Sequence, residues 1–248
     1  MTAATRIALV YPELLGTYGD GGNAMVLAAR LRWRGLPAEI VSVPAGEPVP
    51  PDCQIYLLGG GEDEPQVLAA EGLRAGRNLA RAVEDGGVVF AVCAGLQIVG
   101  RTFWGTDGVH HEGVGLLDLE TRRSFGAPDE PVPPRAVGDI AVTPDEQLGL
   151  PVILGYENHG GRTRPLPNAQ GRPFGRVRGS AIGNGTEDRA EGWWHDRVLA
   201  TYLHGPVLAQ NPALADVLLS WVIEDLPPLE DPPEIANLRN VRQAALAL

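Results

Sequence analysis

The sequence predicts an α/β fold: a mostly parallel central sheet with helices on both faces. Short apolar runs alternate with helix-like segments along the first half of the chain, the pattern of parallel strands joined by helical crossovers. Several of those runs end in glycine-rich loops or sharp turns, and in open parallel sheets function gathers at the carboxyl ends of the strands. The chain has 248 residues, 44% of them hydrophobic and 21% charged, which suits one buried core of ordinary size.

The elements follow in order. "RIALVY", residues 6–11, is an apolar run bounded by Pro12 and predicts a buried strand. "LLGTYGDGGN" is a glycine-rich loop, and Asn23 is placed to cap a helix over 24–34. Leu27 and Leu31 mark the apolar face of that helix, Arg30 and Arg34 another face, and Gly35 its end. "AEIVSV" and "QIYLLGGG" read as the second and third strands. "EPQVLAAEGLRAGRNLARAVEDGG" reads as helix in two pieces, stopping at Gly86-Gly87. "VVFAV" is the fourth strand, and it delivers Cys93.

The second half changes character. From 112 to 202 there are short strand-like pieces, "VGLLDLET", "VGDIAVT", "VILGYEN", "GRVRGSAI" and "RVLATYLH", separated by proline- or glycine-rich turns. A helix is predicted over 211–225, with Asn211 as cap and Pro212 in the first turn. "LPPLEDPPE" is a stiff breaker, and "IANLRNVRQAALAL" is either a final amphipathic helix or a frayed tail. The expected organisation is one domain over 1–226, followed by the breaker and tail over 227–248.

Composition excludes several functions. A net charge of −11 repels phosphate backbones and argues against nucleic acid as partner. Two cysteines make neither a disulfide framework nor a four-cysteine zinc site, and no metal is expected. All 20 basic residues are arginine. Without lysine the chain has no Walker-type phosphate loop and no lysine Schiff base. No run approaches the roughly 18 apolar residues of a membrane span, and the N-terminus lacks a signal peptide's apolar stretch, so a soluble cytoplasmic protein is expected.

Cys93 lies between a strand and a helix in "FAVCAGLQIVG". Such a turn exposes a side chain above the sheet and aims the following backbone N–H groups at one point, the logic of a nucleophile elbow. A helix N-terminus also stabilises a thiolate. Gly95 permits a tight backbone, and the nearby "LGGG" can bring a second N–H close, which makes an oxyanion hole. A free cysteine is most often a buried apolar residue. That reading suits Cys53, at a strand start with no glycine beside it; the glycine-flanked turn separates Cys93 from it. A thiol nucleophile needs a base. His204 in "ATYLHGP" follows an apolar strand, and His159 in "GYENHGGRT" is its rival. His110, His111 and His195 read as exposed or packing residues.

"AVCAGLQ" with a distant "YLHGP" resembles the class I glutamine amidotransferases. Their signature is a cysteine elbow, C-x-G-x-Q, preceded by a glycine-rich loop and completed by a late histidine. Here these are Cys93, Gly95 and Gln97, then "GGG" at 59–61, then His204. "VYPELLGTYGDGGN", "LLGGGEDEPQ", "GYENHGGRT" and "ATYLHGPVLAQNP" are similar to the cobyric acid synthase-like branch, and within it to glutaminase subunits that serve a Mur-ligase-like synthetase. The resemblance implies a flavodoxin-like fold and a mechanism. Cys93 attacks the side-chain amide of L-glutamine, and His204 handles the proton. The N–H of Ala94 and one from Gly60 or Gly61 hold the oxyanion. Gln97 positions the substrate, and Arg135 in "PPRAVGDI" meets its carboxylate.

One departure from the family stands out. Many class I enzymes carry a glutamate two residues after the histidine, and here that position is Pro206. Either His204 works as half of a dyad, or an orienting acid arrives from elsewhere: Glu157 and Asp20 are the internal candidates, and a partner chain is the other source. The resemblance also implies a heterodimer with a synthetase of the MurT type. That partner would carry ATP and Mg²⁺, meet lipid II, and receive ammonia, so no cofactor is expected in this chain. A glutaminase for another synthetase, such as a cobyric acid synthase-like enzyme, has the same chemistry with a different acceptor. A cysteine hydrolase or redox protein on the same fold would leave Gln97 and Arg135 unexplained, and a non-catalytic module would leave Cys93 and His204 unexplained.

Overall fold

The computed structural model describes residues 3–127 and 129–246. Four strands from the first part of the chain, β1 (Thr5–Val10), β2 (Ala38–Val43), β3 (Ile55–Leu58) and β4 (Val88–Val92), pair in parallel in the order β2-β1-β3-β4. "IYLL" and "VVFAV" are buried throughout, as strands covered on both faces must be. The edge strand β2 buries only Val43 fully.

The intervening helices are α1 (Gly22–Trp33), α2 (Asp63–Gly76), α3 (Asn78–Glu84) and α4 (Ala94–Val99). The expected break between α2 and α3 falls at Arg77, a left-handed residue with φ 51°. The start of α1 differs from expectation. Asn23 lies inside the first turn rather than at the cap, because its Oδ1 accepts a hydrogen bond from Leu208 N at 3.0 Å. Arg30, expected on a polar face, is 3% exposed. It donates two hydrogen bonds to Asp216, at 2.7 and 2.6 Å, and one to Asp231 at 2.7 Å. A buried guanidinium of this kind is tolerated only when it is paired so closely.

The chain then builds two smaller sheets. Strands β5 (Thr102–Trp104), β6 (His110–Glu112), β7 (Leu119–Arg122) and β10 (Arg162–Pro165) assemble in the order β10-β7-β5-β6. Strands β8 (Ala136–Pro144), β9 (Ile153–His159), β11 (Gly175–Arg178) and β12 (Ala190–Glu191) assemble as β12-β11-β8-β9. The chain returns to the first sheet with β13 (Trp193–His195) and β14 (Val198–Thr201). β14 runs parallel beside β4, β13 closes the edge antiparallel, and the full order is β13-β14-β4-β3-β1-β2. The parallel part has the arrangement of a flavodoxin-like sheet. Tyr56, Tyr202, Phe90, Phe103 and Phe174 are among the largest fully buried side chains of the described residues. Each such apolar burial contributes about 1.5–3 kcal/mol.

Two short helices, α5 (Val207–Gln210) and α6 (Pro212–Ser220), follow β14. α6 stops at Ser220, five residues before its expected end, and Asn211 makes no capping bond. Instead Asn211 bridges the backbone of Leu154, accepting from N at 2.9 Å and donating to O at 2.6 Å. The C-terminal segment is a helix, α7 (Pro233–Ala245), and none of its residues is buried. It rests on its own domain through two arginines. Arg239 reaches Gln210 O, Asn211 Oδ1 and Val152 O at 2.7–2.8 Å, and Arg242 reaches Asp139 at 2.7 Å.

Because β1, β3, β4 and β14 are parallel neighbours, their carboxyl ends share one edge. The loops that follow them must therefore meet. Thr17 N donates to Gly60 O at 3.3 Å, Gly95 N donates to Gly59 O at 3.1 Å, and Cys93 N donates to Thr201 O at 2.8 Å.

Candidate active site

Cys93 occupies the turn between β4 and α4 with φ 54° and ψ −103°. A non-glycine residue in that region is strained, and such strain persists where the surroundings hold it for function. The strain lies on Cys93 itself. Gly95 serves a different need: a Cβ there would stand 2.7 Å from Leu58 O, so glycine lets the helix seat against β3. Cys93 is only 5% exposed, yet it lines a small cavity of about 100 Å³ with Ala94, Gly61, Gln97, Arg135 and His159.

His204 lies three residues beyond β14 and is 3% exposed. Its backbone exchanges two hydrogen bonds with Tyr156, and the Tyr18 ring tilts against its imidazole at 4.7 Å. Nδ1 donates to Asp20 Oδ2 at 2.9 Å. Asp20 comes from the glycine-rich loop after β1 and is itself 2% exposed. Asp20, one of the two internal candidates, therefore stands where an orienting acid would, within hydrogen-bond reach of the ring, so the geometry calls for neither an acid-free dyad nor an acid from a partner chain. Burial works against a charge on His204. The hydrogen bond to Asp20 and the adjacent Cys93 thiol outweigh burial, so the imidazole pKa is pushed up to about 10. Nε2 is buried with no hydrogen-bond partner.

Gly60 explains why the loop carries glycines. A Cβ there would stand 2.6 Å from His204 Cε1 and 3.2 Å from Asp20 Oδ2. Its N–H donates to Asp20 Oδ2 at 2.9 Å, so it is engaged by the acid and is not available to an oxyanion. The expectation that left Gly60 and Gly61 open thus narrows to Gly61, which lines the cavity. Among the described residues neither the Gly61 nor the Ala94 N–H finds an acceptor.

His159, the rival base, sits in a different corner. Its ring stacks on Tyr202 at 3.8 Å and 15°, and Nδ1–H donates to Gly161 O at 3.0 Å. Nε2 is 3.6 Å from Glu157 Oε2, beyond hydrogen-bond range. Burial pushes the His159 pKa down. Burial alone would raise the Glu157 pKa, but His159 and the N–H groups of Ile182 and Gly183 hold it below the usual range. Glu157 is therefore tied to the 182–183 loop rather than to His204.

Gln97 and Arg135 are brought to the cavity as expected. Gln97 Oε1 accepts from Gln66 Nε2 at 2.9 Å, and its Nε2 donates to Tyr202 Oη at 3.4 Å. Arg135 donates to Asn158 Oδ1 at 2.6 Å, Asn158 O at 3.0 Å and Tyr18 Oη at 3.2 Å. Cys53 is buried at the start of β3, and burial raises its thiol pKa. His110 and His111 pack on Trp104 and Phe103, and His195 lies near Asp196. Gln66, Glu62 and Arg123 also line the cavity; Glu62 and Gln66 lie in the family-like segment "LLGGGEDEPQ" without a role of their own in it, and Arg123 carries no motif that marks it in the sequence.

Residues 6–212 match the CobB/CobQ-like glutamine amidotransferase domain. The chain belongs to that family. It is 35% identical over 228 residues to the GatD subunit of lipid II isoglutaminyl synthase (glutamine-hydrolyzing) from Staphylococcus aureus, covering 91% of this chain and 87% of that one. It is 34% identical to the cobyric acid synthase of Brucella canis over 67% of this chain but only 32% of that protein. Among solved structures, a glutamine amidotransferase superposes with TM-score 0.54 at 19% identity, covering 87% of this chain and 97% of that one. The fold of this amidotransferase is that of its class, and its buried Cys93–His204–Asp20 corner lies at the strand ends where the fold places function. Among the described residues no helix is long and apolar enough to cross a membrane.

Proposed function

We propose that this chain is the glutaminase subunit of a lipid II isoglutaminyl synthase. The observation that carries the chemistry is the strained Cys93 beside a His204 fixed by Asp20. In this reading the Cys93 thiolate attacks the carboxamide carbon of L-glutamine, forming the carbon–sulfur bond. The N–H groups of Ala94 and Gly61 donate to the oxyanion. The His204 imidazolium passes its proton to the departing nitrogen, the carbon–nitrogen bond breaks, and ammonia leaves. His204 then takes a proton from water, whose oxygen attacks the γ-glutamyl thioester. The carbon–sulfur bond then breaks with the Cys93 thiolate as leaving group, glutamate departs, and the thiolate and the His204 imidazolium are restored. Asp20 holds the ring in the tautomer this cycle needs. Gln97 positions the substrate, and Arg135 lies at the cavity for the amino-acid end.

Ammonia is useful only to an activated carboxylate, and activation takes ATP. The partner in this reading is an ATP- and Mg²⁺-dependent Mur-ligase-like synthetase (MurT), forming a heterodimer in the cytoplasm. It would amidate the α-carboxyl of D-glutamate in the lipid II stem peptide to D-isoglutamine. Similarity to GatD along nearly the whole of both chains supports this acceptor over a cobyric acid synthase, which this chain matches only in part. Co-expression with the Mur-ligase-like partner tests it. Lipid II should be amidated only with both glutamine and ATP, and not when Cys93→Ser replaces the wild type. Amidation of a cobyrinic acid substrate instead would move the chain to the other acceptor.

A further inference from the structure

The geometry points to Tyr202 as a positioning residue that holds the carboxamide of Gln97 in place at the cavity; the inference rests on reading the Cys93 cavity as the glutamine site. Tyr202 follows β14 directly. It stands between Thr201, whose carbonyl accepts from Cys93 N at 2.8 Å, and the segment that carries His204. Tyr202 does not itself line the cavity, whereas Gln97 does. Its hydroxyl ends a line of buried oxygens. Tyr202 Oη lies 2.7 Å from Thr163 Oγ1, which lies 2.7 Å from Thr121 Oγ1. Thr121 and Thr163 are directly opposite one another on β7 and β10, so the β10-β7-β5-β6 sheet braces a side chain of the parallel sheet. None of the three residues is more than 2% exposed.

A ring packed in the core needs no hydroxyl. Tyr202 stacks on His159 at 3.8 Å, a contact that phenylalanine would also make. A phenol oxygen withdrawn from water is costly unless it is hydrogen-bonded. Its partners are Thr163 and Gln97, whose Nε2 donates to Oη at 3.4 Å. The other contact of Gln97 does not orient it. Oε1 accepts from Gln66 Nε2 at 2.9 Å, and Gln66 is an amide too. Two facing amides can exchange donor and acceptor by turning over together, so Gln66 leaves open which end of Gln97 faces which wall. Tyr202 settles the choice. With the nitrogen facing it, the phenol oxygen accepts and its own proton goes to Thr163 Oγ1. Burial pushes the phenol pKa up, so the hydroxyl keeps that proton. The backbone leaves room for the contact: a Cβ on Gly161 would stand 2.7 Å from Gln97 Nε2 and 2.9 Å from Tyr202 Oη. A larger residue there would drive the two apart.

The test is a double-mutant cycle between Tyr202 and Gln97, read as ammonia release from glutamine by the full chain with its synthetase partner. Tyr202→Phe keeps the ring and the His159 stack and removes only the hydroxyl. It should lower kcat/KM about 3- to 10-fold, the net worth of one neutral hydrogen bond. Gln97→Ala should lower kcat/KM by itself. In that background Tyr202→Phe should cost less than about 2-fold more, because the hydroxyl has nothing left to hold. Melting temperatures are recorded alongside. The loss of stability from Tyr202→Phe should be similar in both backgrounds while the kinetic loss disappears in one, a split that a purely structural hydroxyl would not produce. Thr163→Val removes the oxygen behind the phenol without touching Gln97, and it takes the place of Tyr202→Phe in the cycle if that variant does not fold. An unmoved kcat/KM in Tyr202→Phe or in Gln97→Ala, or kinetic losses that simply add, overturns the assignment while the thioester reading stands. Failure of the wild type to release ammonia from glutamine at all would overturn both.

Discussion

His204 and His159 occupy two corners of the same strand-end face, each beside a buried carboxylate. His204 lies 2.9 Å from Asp20, and the bond raises its pKa to about 10. His159 lies 3.6 Å from Glu157, and burial lowers its pKa. The difference in distance decides the roles. A carboxylate within hydrogen-bond reach fixes a tautomer and stabilises the imidazolium, whereas one beyond reach cannot offset desolvation. The second partner separates the corners as well: His204 has the Cys93 thiol, and His159 has the face of Tyr202. Burial next to an acid is therefore not enough to make a catalytic base.

The largest expected effect tests the two corners directly. Cys93→Ala or His204→Ala should lower the rate of glutamate release by about 10⁴-fold or more, because in the proposed thioester cycle the removed group takes part in every turnover. His159→Ala should leave kcat far less affected and instead lower stability by roughly 1–3 kcal/mol through the lost stack and the cavity left behind. Equal kinetic losses at the two histidines would erase the distinction.

Asp20→Asn comes next, with kcat expected to fall by about 10²- to 10⁴-fold through the wrong tautomer. It should also shift the alkaline limb of the pH–rate profile down from about 10 towards the ordinary 6.5, since the strongest raising partner is gone. Folding follows the same linkage. The stability that the raised His204 pKa contributes is complete below 6.5 and lost as pH rises through about 10, so a thermal-melting series over that window should flatten in the variant.

Gly60→Ala should cost about 10²-fold in kcat, since its Cβ would displace a ring 2.6 Å away. The smallest effect belongs to the His159 side. Glu191 is fully buried beneath Tyr202, with Oε1 accepting from Thr201 Oγ1 at 2.9 Å and Tyr202 N at 2.7 Å. Burial pushes its pKa from 4.5 up to about 8, so the folded chain binds this proton more tightly than the unfolded chain. Its contribution to stability is fully present below 4.5 and lost as pH rises through about 8. Melting temperatures of Glu191→Gln relative to wild type should rise across that interval, and a flat difference would show that Glu191 does not hold the proton.

The first sheet was legible because buried parallel strands leave continuous apolar runs, and the turn at Cys93 announced itself by glycines beside a cysteine. His204 was legible for a similar local reason, an apolar strand just before it. Asp20 was visible only as one of two internal candidates. Its role depends on β1 and β3 being neighbours and on a contact 184 residues along the chain. The open choice between Gly60 and Gly61 had the same origin, since one hydrogen bond to Asp20 separates them. Asn23 and Asn211 have the chemistry of helix caps, but long-range backbone groups claimed their side chains. Arg123 sits in no pattern, and Gln66 closes the family-like "LLGGGEDEPQ" without a role of its own; only the cavity that gathers them distinguishes them from surface residues.

Asp20 Oδ2 accepts from both the His204 ring and the Gly60 amide. One oxygen thus ties the His204 ring to the glycine loop at 59–61, and neither can drift without loosening the other. The Gly60 amide proton can trade with deuterated solvent only when that tie lets go, so its exchange rate is a clock for how often the whole catalytic corner comes undone.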